Sequence, residues 1–339
     1  MRAGLFFSAL MAVATASPVA LNDFVKRDSE DFDPIEAWPG NWTLSNWSNW
    51  TNSSNVTQWE SPKLQVFITG GHYKLSNWTS SPDVTITSLF NQTSLNATEL
   101  YSVASSVSKS LASDAYTGVV VLGHEKALES LGFFLSVVVD SPKSLVVTSK
   151  LDDGLTVAWS DDSWWRGTLI VDQTLIYSGA VYTPSTPGAV SIGAVYDKTP
   201  WFWFTPAWPM LLSPESTIRT EYWNFTDVIQ ANSTISTNGT TIPIVYDAYY
   251  NPGLLEYLSG SIDGLVVVSS GNSTGSEFTS ASIPIVFASD DYYPVFVDDV
   301  PAGAIAAGGL SPVQSQLLLA IALTNNVTAS SQLQDIFFS

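Results

Sequence analysis

The sequence contains no cysteine, only two histidines, and 12 basic residues against 31 acidic ones in a chain of 339 residues. The lack of cysteine excludes disulfide scaffolds, thiol nucleophiles and cysteine metal sites. The formal net charge of −19 leaves no basic surface to neutralise phosphate groups, so neither nucleic-acid binding nor attraction to an anionic membrane is expected. Apolar residues make up 45% of the chain, which is enough for substantial hydrophobic cores.

The amino terminus has the composition of a secretory signal. A basic residue precedes a short apolar run that ends at the small-x-small motif Ala14-Thr15-Ala16. Residues 1–16 are therefore predicted to be a signal peptide, since the run is too short to span a bilayer. The dibasic pair Lys26-Arg27 resembles the sites that fungal secretory pathways cut, so residues 17–27 are interpreted as a propeptide-like segment, with an incidental pair as the alternative. No other apolar stretch has the length of a membrane span.

Glycosylation signals are far more frequent than chance would give. The Asn-x-Ser/Thr sequon occurs at 13 of the 16 asparagines, whereas roughly four would be expected from the serine and threonine content. Because sequons mark exposed loops of secreted proteins, the chain is predicted to be an N-glycosylated protein of the extracellular space or the cell wall. The sequon asparagines are Asn41, Asn46, Asn49, Asn52, Asn55, Asn77, Asn91, Asn96, Asn224, Asn232, Asn238, Asn272 and Asn326.

Residues 28–62 have neither a helical nor a strand period. They contain five of the sequons and five tryptophans. Five glycans in so short a stretch would resist packing, so the segment is interpreted as a glycosylated spacer. A sugar-stacking platform of the tryptophans is the alternative, but glycans on the adjacent asparagines would cover the rings.

Beyond the spacer, buried strands alternate with amphipathic helices. Residues 64–69, 118–122 and 144–149 have the continuous apolar composition of buried strands, and residues 96–113 and 125–139 have helical spacing. This order predicts an α/β fold with parallel strands and crossover helices.

A hairpin and a second α/β segment follow. Residues 168–171 and 174–177 are predicted to pair as a hairpin. The aromatic run 201–204 is predicted to be a strand in a core or a subunit interface, rather than a carbohydrate platform. The polar stretch 224–240 is interpreted as an interdomain linker. The remaining predictions are strands at 242–246, 262–268 and 283–288 and helices at 252–258 and 312–323.

Four landmarks occur along the chain in a fixed order. They are a Thr-Gly-Gly turn at residues 69–71, a strand at 118–123 followed by a helical segment at 129–135, an Arg-Gly-Thr strand at 166–171, and an apolar helix at 310–323. In this order they resemble landmarks of the bacterial-type (type II-like) L-asparaginase/glutaminase family. The chain is interpreted as a divergent, secreted fungal member of that family.

The resemblance implies a two-domain α/β architecture. A large N-terminal domain with a mixed sheet would occupy residues 63–223, and a smaller, flavodoxin-like C-terminal domain with a parallel sheet would occupy residues 241–339. Members of the family form dimers and tetramers with active sites between the N-domain of one subunit and the C-domain of its neighbour. The resemblance therefore also implies a homodimer or homotetramer.

The resemblance points to a site whose reactive residues are replaced. In the family, a threonine nucleophile follows the Thr-Gly-Gly turn, and a tyrosine, a second threonine, an aspartate and a lysine assist it. A hydroxyl group is a weak nucleophile unless a base takes its proton, so these groups act as a unit. Here His72 stands in the nucleophile's position, Glu125 and Lys126 in those of the second threonine and the aspartate, and Pro184 in that of the lysine.

Three further positions correspond to substrate contacts of the family. Gln92 and Thr93 take the place of its Ser-Gln clamp, and Asn272 resembles the C-domain asparagine that reaches the neighbouring subunit's site. Gln92 and Thr93 lie inside the sequon of Asn91, and Asn272 begins a sequon itself. A glycan on Asn272 would obstruct the cleft.

A retained scaffold with a replaced site favours a catalytically inactive protein, a pseudoenzyme. Such a protein would act by binding at the cell wall or outside the cell. Its partner would be a wall polysaccharide or an extracellular protein, and it would need no cofactor or metal.

Two enzymatic alternatives remain open. The first is an active asparaginase/glutaminase-type amidohydrolase that converts asparagine to aspartate and ammonia. The second is an altered hydrolase at His72, His124 and Glu125, because the only two histidines fall on loops that face each other across the family's site. Two histidines and a carboxylate suit a metal ion or a general base, but their spacing matches no known metal motif.

Overall fold

Two β-sheets organise the computed structural model, which describes residues 63–71, 82–184, 190–205, 240–247, 260–269, 282–291 and 293–338. Residues Ser61–Ser339 form one compact unit. The predicted signal peptide, propeptide-like segment and spacer lie outside the described residues, as do the helix predicted at 252–258 and the predicted linker apart from Thr240. The proposed domain boundaries therefore stay predictions.

The larger sheet has eight strands and is mixed. The strands are β1 (Leu64–Ile68), β2 (Val84–Ser88), β3 (Gly118–Leu122), β4 (Ser144–Thr148), β5 (Thr168–Asp172), β6 (Leu175–Ser178), β7 (Gly193–Tyr196) and β8 (Thr199–Phe202). Their order is β2-β1-β3-β4-β5-β6-β7-β8; pairing is parallel as far as β5 and antiparallel from β5 to β8. The central strands are continuous apolar runs because both faces of a parallel sheet are covered.

The smaller sheet has four strands, all parallel. They are β9 (Ile244–Tyr246), β10 (Leu265–Val268), β11 (Ile285–Ala288) and β12 (Ile305–Ala306), in the order β12-β11-β10-β9. The pair of a mixed sheet and a parallel sheet confirms the fold class that the sequence predicts.

Five α-helices lie within the described residues. They are α1 (Ala97–Ala112), α2 (Leu128–Val138), α3 (Leu151–Ala158), α4 (Pro312–Thr324) and α5 (Ser330–Phe338). Two begin with a capping box, Asn96 with Glu99 in α1 and Ser311 with Gln314 in α4. Each box satisfies main-chain donors that the first helical turn leaves free. In the part of the chain that the structure describes, no helix is long and apolar enough to cross a bilayer.

One hydrophobic core continues from the larger sheet to the smaller sheet. Helices α2 and α4 pack against each other within it, and Leu131 and Ile321 are both fully buried. Gly132 lets α2 approach β5 closely, since a Cβ atom at this position would lie 2.2 Å from Cδ1 of Ile170. Helix α3 covers the opposite face of the larger sheet, where Leu155 belongs to a separate core.

The aromatic run at 201–204 departs from its prediction. The strand occupies Thr199–Phe202, and the side chains of Trp201, Trp203 and Phe204 are 60%, 53% and 55% exposed. The expectation that these three residues lie in a core is therefore wrong, and their place in a subunit interface stays a prediction. Only Phe202 packs against a core, the one beneath α3.

Candidate functional site

The candidate site lies at the carboxyl ends of β1 and β3, where open α/β sheets bind their ligands. The two strands are parallel neighbours, so the turns that follow them meet. The main-chain N–H of Thr69 donates to the carbonyl of Leu122 at 2.9 Å, and a Cβ atom on Gly123 would lie 3.4 Å from Oγ1 of Thr69. The structure thus brings the Thr-Gly-Gly turn and the loop of His124 side by side.

Thr69 itself serves the scaffold. Its side chain is 1% exposed, and its hydroxyl donates to the carbonyl of Leu122 at 3.2 Å. A nucleophilic hydroxyl has to be accessible and has to give its proton to a base. The Thr69 hydroxyl meets neither condition, so this threonine holds β1 and β3 together instead of attacking a substrate.

The loop after β2 packs directly onto the Thr-Gly-Gly turn. The main-chain N–H of Gln92 donates to the carbonyl of Thr69 at 3.1 Å. A Cβ atom on Gly70 would lie only 1.7 Å from the carbonyl oxygen of Gln92, so glycine is required where the two backbones meet. The turn is therefore covered by main chain on the side of β2.

The two residues at the clamp positions differ in their contacts. Nε2 of Gln92 donates to Oε1 of Glu99 at 2.8 Å, and Glu99 closes the capping box of α1. Thr93 is exposed on the loop that leads to this helix. Because the amide of Gln92 is engaged with the first turn of α1, this loop stabilises the start of a helix in the described structure.

His124 acts as a helix cap. Its Nδ1 accepts the main-chain N–H of Lys126 at 3.2 Å, which begins the short 3-10 turn Glu125–Ala127. The Nδ1 atom of His124 is therefore engaged with the main chain of this turn. The side chains of Glu125 and Lys126 are exposed. Of the site predicted from the sequence, His124 thus contacts the local backbone, and the side chains of Glu125 and Lys126 face solvent.

Two of the predicted positions, His72 and Asn272, lie outside the described residues, so the arrangement of His72, His124 and Glu125 stays a prediction. Across the described ranges, no three histidine, aspartate or glutamate side chains stand close enough together to hold a metal ion.

Two residues before Pro184, Tyr182 is hydrogen-bonded to the larger sheet and to helix α4. The hydroxyl of Tyr182 donates to Oδ2 of Asp172 at 2.9 Å, and its carbonyl accepts Nε2 of Gln314 at 3.1 Å. Burial, together with the hydrogen bond to Asp172, raises the pKa of Tyr182 well above its usual value. Pro184 is exposed and has no donor or acceptor side chain; its correspondence to the family's lysine stays a prediction.

A partly buried carboxyl group at the junction of α2 and α4 was not predicted from the sequence. Glu129 in the first turn of α2 accepts the hydroxyl of Ser311, the cap of α4, and Ser311 Oγ in turn accepts the N–H of Gln314 at 3.1 Å. Burial raises the pKa of Glu129, and the hydrogen bond from Ser311 opposes that rise. The Ser-x-x-Gln capping pattern was the one local signal of this junction.

The partly buried Glu129 predicts a pH dependence of stability. Its pKa in the folded protein lies above the ordinary value of 4.5, so the folded chain binds more protons than the unfolded chain in the interval between these values. The free energy of unfolding should therefore fall as the pH rises above about 4.5 and through the folded pKa. We expect the midpoint of thermal unfolding to be higher in mildly acidic buffer than at neutral pH.

Substitution of the same residue tests this expectation. In Glu129→Gln the side chain cannot titrate, so the gain in midpoint on acidification should shrink, whereas Glu125→Gln, a change at an exposed carboxyl group nearby, should leave it unchanged. Equal pH profiles for Glu129→Gln and the parent protein would show that another group is responsible. Asp153, whose pKa is also raised by burial, would be examined next.

Comparison with known proteins identifies several relatives, although no protein-family model matches the chain. "Protein YGP1" of Saccharomyces cerevisiae is 41% identical over 320 residues, which cover 89% of this chain and 88% of that protein. The "Sporulation-specific wall maturation protein" of the same yeast is 40% identical over 294 residues, covering 81% of this chain and 88% of the relative.

More distant matches connect the chain to asparaginases. "L-asparaginase 2-3" of Saccharomyces cerevisiae is 26% identical over 282 residues, covering 72% of this chain and 74% of that protein. The crystal structure of a probable cytoplasmic L-asparaginase from Campylobacter jejuni superposes with a TM-score of 0.63 at 15% identity, covering 83% of this chain and all of the other. This last similarity shows the fold alone.

Proposed function

The chain belongs to the family of Protein YGP1 and the sporulation-specific wall maturation protein, which are divergent members of the asparaginase-type fold. On that premise we propose that it is a secreted glycoprotein that acts at the cell wall by binding and does not hydrolyse amides. The proposal has two parts, the loss of catalysis and the location at the wall. Each is supported by different residues.

The loss of catalysis is supported by what occupies the carboxyl ends of β1 and β3. The hydroxyl of Thr69 is buried against a carbonyl, the amide of Gln92 is bound to Glu99, and Nδ1 of His124 caps a turn. Amide hydrolysis needs an accessible nucleophile beside a base and donors that stabilise the developing oxyanion. Groups already engaged in scaffold contacts supply none of these, which is the observation that carries the proposal.

The location at the wall is supported by the relatives and by the sequons. One relative is named for wall maturation. Three sequon asparagines fall within the described residues, Asn91, Asn96 and Asn326, and all three are exposed. Asn96 caps α1 through its side-chain oxygen, which accepts the N–H of Glu99 at 3.0 Å, so its amide nitrogen stays available for a glycan. Exposed, glycosylated loops are typical of extracellular proteins.

Sedimentation with cell walls tests the proposal. Full-length protein secreted by a yeast host would be mixed with isolated yeast walls and centrifuged, before and after enzymatic removal of its N-glycans. We expect the protein to sediment with the walls and to remain there in concentrated sodium chloride. A chain with 12 basic residues and a net charge of −19 has few groups for ionic attachment to a wall, so its binding should be insensitive to salt.

Albumin, an acidic protein of another fold, would serve as the control in the same tubes. Recovery of the glycosylated and deglycosylated protein in the supernatant, at the level of the control, would contradict a role at the wall.

A further inference from the structure

Exposed aromatic rings lie on the β7–β8 hairpin at one edge of the larger sheet. Tyr196, Trp201 and Trp203 are 75%, 60% and 53% exposed, and we name these three side chains the aromatic hairpin face. Isolated apolar side chains at a surface are common, but a group of large aromatic residues marks an interaction site. The asparaginase-derived site uses none of these residues.

The strand register puts two of the rings, those of Tyr196 and Trp201, on one side of the sheet. Trp201 pairs with Ala194, and Tyr196 pairs with Thr199, so these side chains share a face. Trp203 follows the last residue of β8, and its main-chain N–H donates to the carbonyl of Ile192 at 3.0 Å, which keeps it beside the hairpin. Phe202, one residue out of step, packs instead against the core beneath α3.

The inner side of the hairpin is firmly anchored. The guanidinium carbon of Arg166 lies 3.9 Å from the centre of the Phe202 ring. Arg166 is 5% exposed and donates from Nε to the carbonyl of Asp162 at 2.5 Å. Because this side is fixed by the cation–π contact and by α3, the outer rings are held on a rigid strand and lose little conformational freedom on binding.

Among the described helices, the one that covers this side of the sheet packs mainly on β4 and β5. Helix α2 packs on β5, where Gly132 touches Ile170, while β7 and β8 are contacted from the other side by α3. The side of the hairpin that carries Trp201 therefore continues the face of the sheet that α2 covers on β5, but the aromatic rings there are exposed to solvent. Leaving such rings exposed is unfavourable unless a partner covers them.

Charge selects the kind of partner. The hairpin carries one charge of each sign, at Asp197 and Lys198 in its turn, and is otherwise uncharged. A second copy of the chain, or an acidic polymer, would approach a molecule of net charge −19 against electrostatic repulsion. A neutral polysaccharide meets no such repulsion, and the flat C–H faces of its sugar rings complement flat aromatic rings while its hydroxyl groups remain in water.

We propose that the aromatic hairpin face binds a neutral polysaccharide chain of the cell wall. The proposal rests on the proposed function at the wall and assigns the contact to Trp201 and Trp203, with Tyr196 extending it. Aromatic side chains with flat rings and few rotatable bonds dominate binding energies at such surfaces.

Binding to purified polysaccharides tests the assignment. Full-length, deglycosylated protein would be titrated with soluble β-1,3-glucan, followed by tryptophan fluorescence, and sedimented with insoluble β-1,3-glucan and with chitin. The double variant Trp201→Ala/Trp203→Ala should bind the polysaccharide retained by the parent protein about tenfold more weakly or worse. Trp201→Phe keeps a flat ring and should keep most of the affinity.

A matched control separates ring loss at this face from ring loss elsewhere. Tyr293 is 78% exposed in the segment before β12, so Tyr293→Ala removes an exposed ring of another region and should bind like the parent protein. All variants change exposed side chains, and unchanged circular dichroism and thermal midpoints would verify that they fold.

Each remaining outcome counts against the hairpin. If the double variant binds as tightly as the parent protein, the contact lies elsewhere. If the parent protein sediments with whole walls but binds neither glucan nor chitin, the result supports the function at the wall and contradicts polysaccharide binding by the aromatic hairpin face. If light scattering shows that the parent protein is a dimer and the double variant is a monomer, the aromatic hairpin face binds a second copy of the chain.

Discussion

Deglycosylated protein is expected to release ammonia from asparagine or glutamine at least about a million-fold more slowly than an L-asparaginase assayed beside it. The reason is that removing the nucleophile of a hydrolase already lowers its turnover by this factor. By the resemblance to asparaginases, His72 is predicted to stand in the nucleophile's position, and Glu125, Lys126 and Pro184 in those of its partners. The neighbouring hydroxyl of Thr69 is buried and donates to a main-chain carbonyl.

The assay is designed to distinguish inactivity from a new chemistry. Ammonia release would be followed by a coupled enzymatic assay over several hours, with "L-asparaginase 2-3" of Saccharomyces cerevisiae as the positive control. The same samples would be tested after addition of zinc and after treatment with a chelator, because a site at His72, His124 and Glu125 would need a metal ion or act as a base.

Turnover that survives in the parent protein would contradict the proposed inactivity. Loss of that turnover in His124→Gln, with no loss in a variant of the exposed Lys126, would then assign it to the histidine site. Metal-dependent turnover would identify an altered hydrolase instead of a residual asparaginase.

Gly70→Ala is expected to destabilise the protein by more than about 3 kcal/mol or to prevent folding. The added Cβ atom would lie 1.7 Å from the carbonyl oxygen of Gln92, a main-chain atom that cannot rotate away. Relief would require the loop after β2 to separate from the turn, which would break the hydrogen bond from Gln92 to Thr69. The measurement is the free energy of unfolding in urea, together with the thermal midpoint.

Gly309→Ala is the matched control for this substitution. A Cβ atom on Gly309 would meet nothing within 4 Å, so the same chemical change should alter stability by no more than about 0.5 kcal/mol. Equal stability of the two variants would mean that the loop after β2 does not rest on the turn as described. If Gly70→Ala fails to fold while Gly309→Ala folds normally, the expectation is met in its strongest form.

The central strands and the capped helices were predictable because their signals are local. Strand β3 is a continuous run of apolar residues, which the sequence shows directly. Helix α1 begins after Asn96 and ends before Ser113, the bounds that its period and cap suggest. These elements fixed the positions of the turns at the candidate site.

Other elements were not predicted from the sequence because their local signals are weak or misleading. Strand β2 (Val-Thr-Ile-Thr-Ser) alternates at an exposed edge, β12 has only two residues, and α3 contains Gly154. Gly154 is needed there, since a Cβ atom would lie 2.5 Å from Cγ2 of Thr148, but glycine argues against a helix in the sequence.

The contacts that define the site were beyond sequence reasoning for a different reason. Glu129 and Ser311 are 182 positions apart, and Gln92 reaches Glu99 only because β2 and α1 are positioned by the sheet. Hydrogen bonds of this kind depend on the assembled fold, and the periodicity of the sequence does not predict them. The same holds for the exposure of Trp201, which depends on where α2 ends.

The continuous core between the two sheets has a mechanical consequence. Among the described residues, α2 and α4 share an apolar interior, and Glu129 accepts a hydrogen bond from Ser311 between them. Enzymes whose domains close over a small substrate move those domains about a hinge. Two sheets joined by a packed core are instead suited to holding a fixed surface steady against a long, immobile polymer.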